Sequence, residues 1–88
     1  VQKNMSTTIM EAQLRDALDR DRELAVRGCA TASGPAGIAV ERRGTPLGVW
    51  QWRNGGFELR LAGEGEAVTK VETVAEAVHH TRERLFKA

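Results

Sequence analysis

The side chains best suited to chemistry are Cys29, His79 and His80, with the carboxylates around them. A cysteine nucleophile needs a base, and that base needs an orienting group. Cys29 follows Gly28 in a run of small residues, far in sequence from both histidines. Nothing marks a Cys–His pair, so Cys29 reads as a plain free thiol. His79 and His80 are adjacent, and neighbours on a helix point about 100° apart, a poor arrangement for binding one ion. Glu76 and His80 stand at i,i+4 and could share an ion, but no third ligand has a recognisable spacing. Gly63-Glu64-Gly65 carries an acid and lacks the strand–loop–helix setting of a phosphate loop. The carboxylates are evenly mixed with arginines, and no pair in an apolar setting suggests acid–base work. The expectation is therefore no enzyme, no catalytic residue, no metal and no cofactor.

Binding is the more promising chemistry. Trp50 and Trp52 are the largest apolar side chains and, if exposed, could anchor a partner or stack on bases. Their alternation with Gln51 and Arg53 matches that of Phe57, Leu59 and Leu61, which favours packing in a core. The opposite strand face carries Glu41, Arg43, Gln51, Arg53, Glu58 and Arg60, with Val49. Residues 34–60 hold four arginines against two glutamates, a local excess of positive charge. The candidate binding residues are Arg43, Gln51, Arg53 and Arg60, with Trp50 and Trp52 as alternative aromatic anchors.

These residues must be positioned by one small domain, because the chain has 88 residues. Thirteen basic against twelve acidic residues give a net charge of +1, which excludes a strongly basic, histone-like protein but leaves room for a local patch. One cysteine cannot make an internal disulfide or a cysteine-based zinc site. No apolar run approaches the ~18 residues of a membrane span, and no signal-peptide core is present. A soluble cytoplasmic protein is the default expectation.

Glycine and proline divide the chain. All nine glycines and both prolines lie between Gly28 and Gly65. Turns and strands are expected there, with helices at either side. Residues 1–7 are expected to lie outside the fold and residues 8–88 to form one domain. Thr8 to Glu11 reads as a capping box opening a first helix. Met10, Leu14, Ala17, Leu18, Leu24 and Ala25 would face inward, while Glu11–Arg15, Arg15–Asp19, Asp16–Arg20 and Glu23–Arg27 pair on the solvated face. Gly28 is a plausible helix terminator. The stretch from Leu24 to Ala30 could instead be a short strand after a helix ending near Asp21. Cys29 to Gly37 reads as a connection.

Ile38–Glu41, Leu47–Arg53 and Phe57–Ala62 alternate as strands. Asn54-Gly55 favours a type I′ turn, whose central residues both need positive φ. That loop sets Trp52 opposite Phe57, Trp50 opposite Leu59, Gly48 opposite Leu61, Gln51 opposite Glu58 and Val49 opposite Arg60. The turn near Gly44-Thr45-Pro46 must have odd length or a bulge, because an even loop would put Val40 on the face away from the tryptophans. A three-residue loop would set Val40 opposite Trp50 and Ile38 opposite Trp52. Ala67–Val71 could form a fourth strand. A second capping box, Thr73 to Glu76, opens a helix with Val74, Ala77, Val78, Thr81 and Leu85 inward. Arg82, Arg84 and Lys87 suit its dipole. The fold class expected is α+β in the order α-β-β-β-(β)-α, an antiparallel meander with one face covered by helix.

Gly48-Val49 opening a strand, Arg60-Leu61 closing the next, and Thr73 with Glu76-Ala77 starting a helix resemble the AP2/integrase amino-terminal type of DNA-binding domain. The likeness spans Gly48 to Leu85, a little under half the chain. It lacks that family's aromatic third strand, having Val68-Thr69-Lys70-Val71 instead. The resemblance implies a sheet face that enters the major groove, with Gln51, Arg53 and Arg60 as contacts. The element order is also similar to that of double-stranded-RNA-binding domains. The lysine cluster those domains need is replaced here by Lys70, Val71, Glu72 and Glu76, so that reading is set aside. The leading expectation is a small non-enzymatic interaction or regulatory module, of adaptor or inhibitor type, binding a protein partner or a second copy of itself. The alternative is nucleic-acid binding through the arginine-bearing sheet face; no membrane is implied.

Overall fold

The chain forms its first helix over Met5–Arg20 (α1), breaks at Asp21, and resumes as a short helix, Arg22–Val26 (α2). The computed structural model describes residues 5–63 and 67–86. Asp21 is the cause of the break. Its backbone is extended and its Oδ1 accepts the Leu24 amide at 3.0 Å, making it the N-cap of α2. Gly28, at φ +86°, then ends α2 as expected.

At the other end of α1, Thr8 lies inside the helix rather than capping it, and residues 5–7 belong to the fold. No glycine or proline precedes Thr8 to stop the helix. The expectation for residues 1–4 lies outside the described residues, as does most of the Gly63-Glu64-Gly65 turn.

Five strands follow in a meander: Cys29–Gly34 (β1), Gly37–Arg42 (β2), Thr45–Arg53 (β3), Gly56–Leu61 (β4) and Ala67–Val71 (β5). They make one antiparallel sheet in the order β1-β2-β3-β4-β5. β5 is the strand proposed for residues 67–71. The connection expected over Cys29–Gly37 is instead a strand, a Pro35-Ala36 turn and the start of β2, with Gly34 opposite Gly37. Its small side chains hid it, because Ala30, Ala32 and Gly34 show no apolar–polar alternation.

The β3–β4 register is the expected one at each of the five pairs, from Gly48–Leu61 to Trp52–Phe57. Asn54 and Gly55 have φ of 53° and 77°, as a type I′ turn requires. The β2–β3 hairpin keeps the expected parity but shifts its pairing. Ile38 faces Trp50 and Val40 faces Gly48, with a bulge after Val40 that leaves Leu47 unpaired. The turn itself is the two-residue Arg43-Gly44, at φ 50° and 88°. A bulge next to Pro46, which has no N–H to donate, supplies the odd count that a three-residue loop would have given.

Thr73 caps the last helix, Val74–His80 (α3), its Oγ1 accepting the Glu76 amide at 3.1 Å. The helix continues as a π-helical turn, Thr81–Leu85, in which the Phe86 amide donates to the Thr81 carbonyl at 3.2 Å. The extra residue per turn brings Phe86 into the core, which the regular i+3/i+4 stripe did not anticipate.

Leu14, Leu18 and Leu24 from the first two helices meet Ile38, Val40, Trp50, Phe57, Leu59 and Val71 from the sheet. Ala77, Val78 and Phe86 complete this core, with Val74 and Leu85 packed at its margin. Ala25, expected inward, is exposed because α2 is a separate helix with its own orientation. No helix among the described residues covers the other sheet face.

Candidate functional site

Trp50 is fully buried, so it is not a surface anchor. Phe57 meets its ring edge-on, with centroids 6.4 Å apart. The indole Nε1–H donates to Thr81 Oγ1 at 2.9 Å, and that hydroxyl donates to the Ala77 carbonyl at 2.8 Å. A buried indole N–H has to find an acceptor, and the π turn supplies one. Trp52 is half-buried, its ring 4.8 Å from that of Phe57. Both tryptophans serve the core side of the sheet.

Two side chains expected on a solvated helix face are also structural. Glu11 is 3% exposed, and its Oε2 accepts the Trp52 amide at 3.0 Å. β3 outruns β2 at this point, so the outward N–H of Trp52 needs a partner from another element. Arg27 donates to the Phe86 carbonyl and ties α2 to the end of the π turn. Arg82 reaches Asp21 Oδ2 through Nε and Nη2 at 3.0 and 2.8 Å. Burial works against ionisation of Asp21, but the Leu24 amide and the Arg82 guanidinium outweigh it and hold the carboxyl below its ordinary range. Of the expected helix pairs, Arg15–Asp19 and Asp16–Arg20 are present, at 3.8 and 3.1 Å.

Cys29, His79 and His80 stand as follows among the described residues. Burial, with Asp19 and Asp21 nearby, pushes the Cys29 thiol up to about 11, so it stays protonated near neutrality. The His79 and His80 rings are 6.3 Å apart and diverge by 77°. His80 Nδ1 is enclosed and makes no hydrogen bond among the described residues. Among those residues no three His, Cys, Asp or Glu side chains converge on a point where an ion could sit. No helix among them is long and apolar enough to cross a membrane.

What remains is the open sheet face. Strand register sets its side chains in rows. Ala32, Ala39, Val49 and Arg60 run across β1 to β4 in one row. Gln51, Glu58 and Lys70 cross β3 to β5 in the next, in line with the Gly34–Gly37 pair. Ala30 and Glu41 face each other on β1 and β2. The face is thus divided: β1 and β2 bear mostly alanine and glycine, whereas β4 and β5 bear long charged chains. Shallow depressions flank the Val49–Arg60 pair, one lined by Ala36, Val49, Gln51, Glu58 and Arg60, the other including Ala39, Glu41, Pro46 and Ala62.

Of the four binding candidates, Gln51, Arg53 and Arg60 share this face. Arg43 does not join them. It occupies the β2–β3 turn, at the opposite end of β3 from Arg53, and its side chain folds against Gly28. A Gly–Thr–Pro loop would have set it in the sheet; the two-residue turn places it at a tip instead. Lys70, not singled out from sequence, lies 3.9 Å from Glu58 and donates to the Asn54 carbonyl at 3.1 Å. The alanines of β1 also went unrecognised, because no strand was assigned there.

Comparison with known protein families, with curated proteins and with solved structures finds no match for this chain.

Proposed function

We propose that this chain is a small non-enzymatic interaction module, of adaptor or inhibitor type, that binds a protein partner through the open face of its sheet in the cytoplasm. The observation that carries the reading is the division of labour between the two sheet faces. One is closed by helices around Trp50; the other presents Val49 among small residues, bordered by Glu41, Glu58, Arg53, Arg60 and Lys70. An apolar centre inside a polar rim of both charge signs is the usual anatomy of a protein-binding patch.

The second reading is nucleic-acid binding, favoured by Gln51, Arg53 and Arg60 lying together on the face that the AP2-type resemblance would set in a groove. Against it stand the two glutamates on the same face, one of them beside Lys70. Phosphate recognition works best with an uninterrupted positive surface.

A photoreactive phenylalanine analogue at Gln51, with a control at the exposed Ala12 on α1, separates the readings in cells of the native host. Protein adducts from position 51 and none from position 12 support the proposal. Nucleic-acid adducts from position 51, with duplex binding that weakens steeply in salt, transfer support to the second reading. Absence of any adduct specific to position 51 refutes both.

A further inference from the structure

The pairing of β1 with β2 decides which of its backbone groups are used. The Arg43 amide donates to the Gly28 carbonyl at 3.2 Å, so Gly28 and Arg43 form a hydrogen-bonded pair. Register carries the same pattern to Ala30–Glu41 and Ala32–Ala39. Cys29, Thr31 and Ser33 therefore turn their N–H and C=O groups away from β2, off the edge of the sheet. Among the described residues only the Thr31 carbonyl finds a partner there, Arg15 Nη2 at 3.4 Å. A carbonyl oxygen has two lone pairs, so that contact leaves it able to accept again.

The two edges of the sheet differ. β5 carries Lys70, and its register with β4 shifts between Leu59 and Arg60. Lysine and bulges are the usual guards against the addition of a further strand. β1 is Cys-Ala-Thr-Ala-Ser-Gly, with no charge, no proline and an unbroken register over its six residues. It is the unguarded edge.

We propose that β1 is a docking edge for an extended segment of another protein, which adds to the sheet as a sixth strand through main-chain hydrogen bonds. This surface is separate from the open face, so the inference stands or falls independently of the function proposed above. The unpaired backbone selects the occupant, because an extended main chain is what repeats a donor and an acceptor at the ~6.8 Å interval of alternate strand residues. Side chains select its sequence. On the open-face side the added strand meets the methyl groups of the exposed Ala30 and Ala32, which leave room for large apolar residues. On the helix side it meets Thr31, whose Oγ1 accepts from Arg15 Nε at 3.2 Å and donates to Asp19 at 2.6 Å, a setting that suits short polar residues. The segment therefore alternates large apolar with short polar residues along the ~20 Å of β1.

The probe is a displayed library of random linear peptides of about ten residues, longer than β1, selected on the whole chain. The expected result is enrichment of peptides with this alternation that slow amide hydrogen exchange at Thr31 and Ser33, read by NMR. Ser33→Pro removes one outward N–H at an edge position that accepts proline, whereas Ser33→Ala keeps it. Peptide affinity should fall about tenfold with proline, the loss of one hydrogen bond, and by less than about threefold with alanine. N-methylated peptides give a second reading on the unaltered chain. Methyl groups on alternate amides of one parity should abolish binding, and those of the other parity should leave it. A selection that enriches no peptide overturns the proposal. So do bound peptides that protect neither Thr31 nor Ser33, or that bind equally well with either parity methylated. A chain that dimerises without peptide, with the Thr31 and Ser33 amides protected, also overturns it, because the edge is then filled by a second copy.

Discussion

Thr81→Val is the most direct probe of how the sheet is sealed. The substitution keeps shape and volume and removes one hydroxyl. Thr81 is fully buried, and its Oγ1 is the acceptor for Trp50 Nε1–H at 2.9 Å. Without it the indole N–H is left in an apolar interior with no partner, which costs about 1–3 kcal/mol. The Ala77 carbonyl loses less, since it still accepts from the Thr81 amide. A domain of this length has on the order of 4–13 kcal/mol in total, so the loss is a sizeable fraction. A loss of ~2 kcal/mol should lower the melting temperature by roughly 8–16 °C. The decisive measurement is a double-mutant cycle by urea unfolding. In a Trp50→Phe background there is no indole N–H to strand, so Thr81→Val should cost less than about 0.5 kcal/mol there. Equal costs in the two backgrounds would refute the hydrogen bond as the source of the effect.

Asp21 should make the fold acid-sensitive. Its carboxyl is held below its ordinary value of 3.8, so its contribution is complete above that pH and is lost as pH falls through the folded value. The stability difference between wild type and Asp21→Asn, followed by thermal melts from pH 6 downward, should therefore shrink below about pH 4; a constant difference would contradict the pairing with Arg82. Gly37→Ala drives a Cβ into the Trp50 carbonyl at a residue with φ +126°, whereas Gly34 has open space. The first should cost about 2–5 kcal/mol and Gly34→Ala under about 1, measured by denaturant midpoints. Cys29 should react with iodoacetamide at pH 8 about two orders of magnitude more slowly in the native state than in urea. A fast native reaction would show that the thiol is neither shielded nor raised to about 11.

The parts of this fold legible in sequence are those where two independent constraints coincide. At Asn54-Gly55, turn chemistry and the alternation of Trp50, Trp52, Phe57, Leu59 and Leu61 demand the same register, and β3 and β4 adopt it. Parity alone required a bulge between β2 and β3, but parity cannot say how many residues the turn holds. Pairing is therefore displaced by two residues, which keeps the faces, and Arg43 lies in the turn. β1 was hidden because a strand whose outer face is alanine and glycine carries no periodic signal. The roles of Glu11 and Arg27 were hidden for a different reason. A charged residue in a helix with a partner at i,i+4 looks solvated, and only the tertiary structure reveals that β3 leaves an N–H for Glu11 to accept. The open face was visible as a set of polar alternates, but its low half depends on β1, so its shape was not.

The hydrogen bond that closes the core spans 31 residues, from Trp50 to Thr81. A ribosome adding ~5–20 residues per second needs roughly 2–6 s to make that stretch. A β-hairpin closes in about 1–10 μs. The residues of β3 and β4 are thus made earlier than Thr81, which accepts from Trp50, by roughly a million times the span of hairpin closure. α1, synthesised earlier, packs on the same side of the sheet through Leu14 and Leu18. In the folded chain α1 covers its part of this core from one end of the sequence, and α3 with the π turn covers the rest from the other.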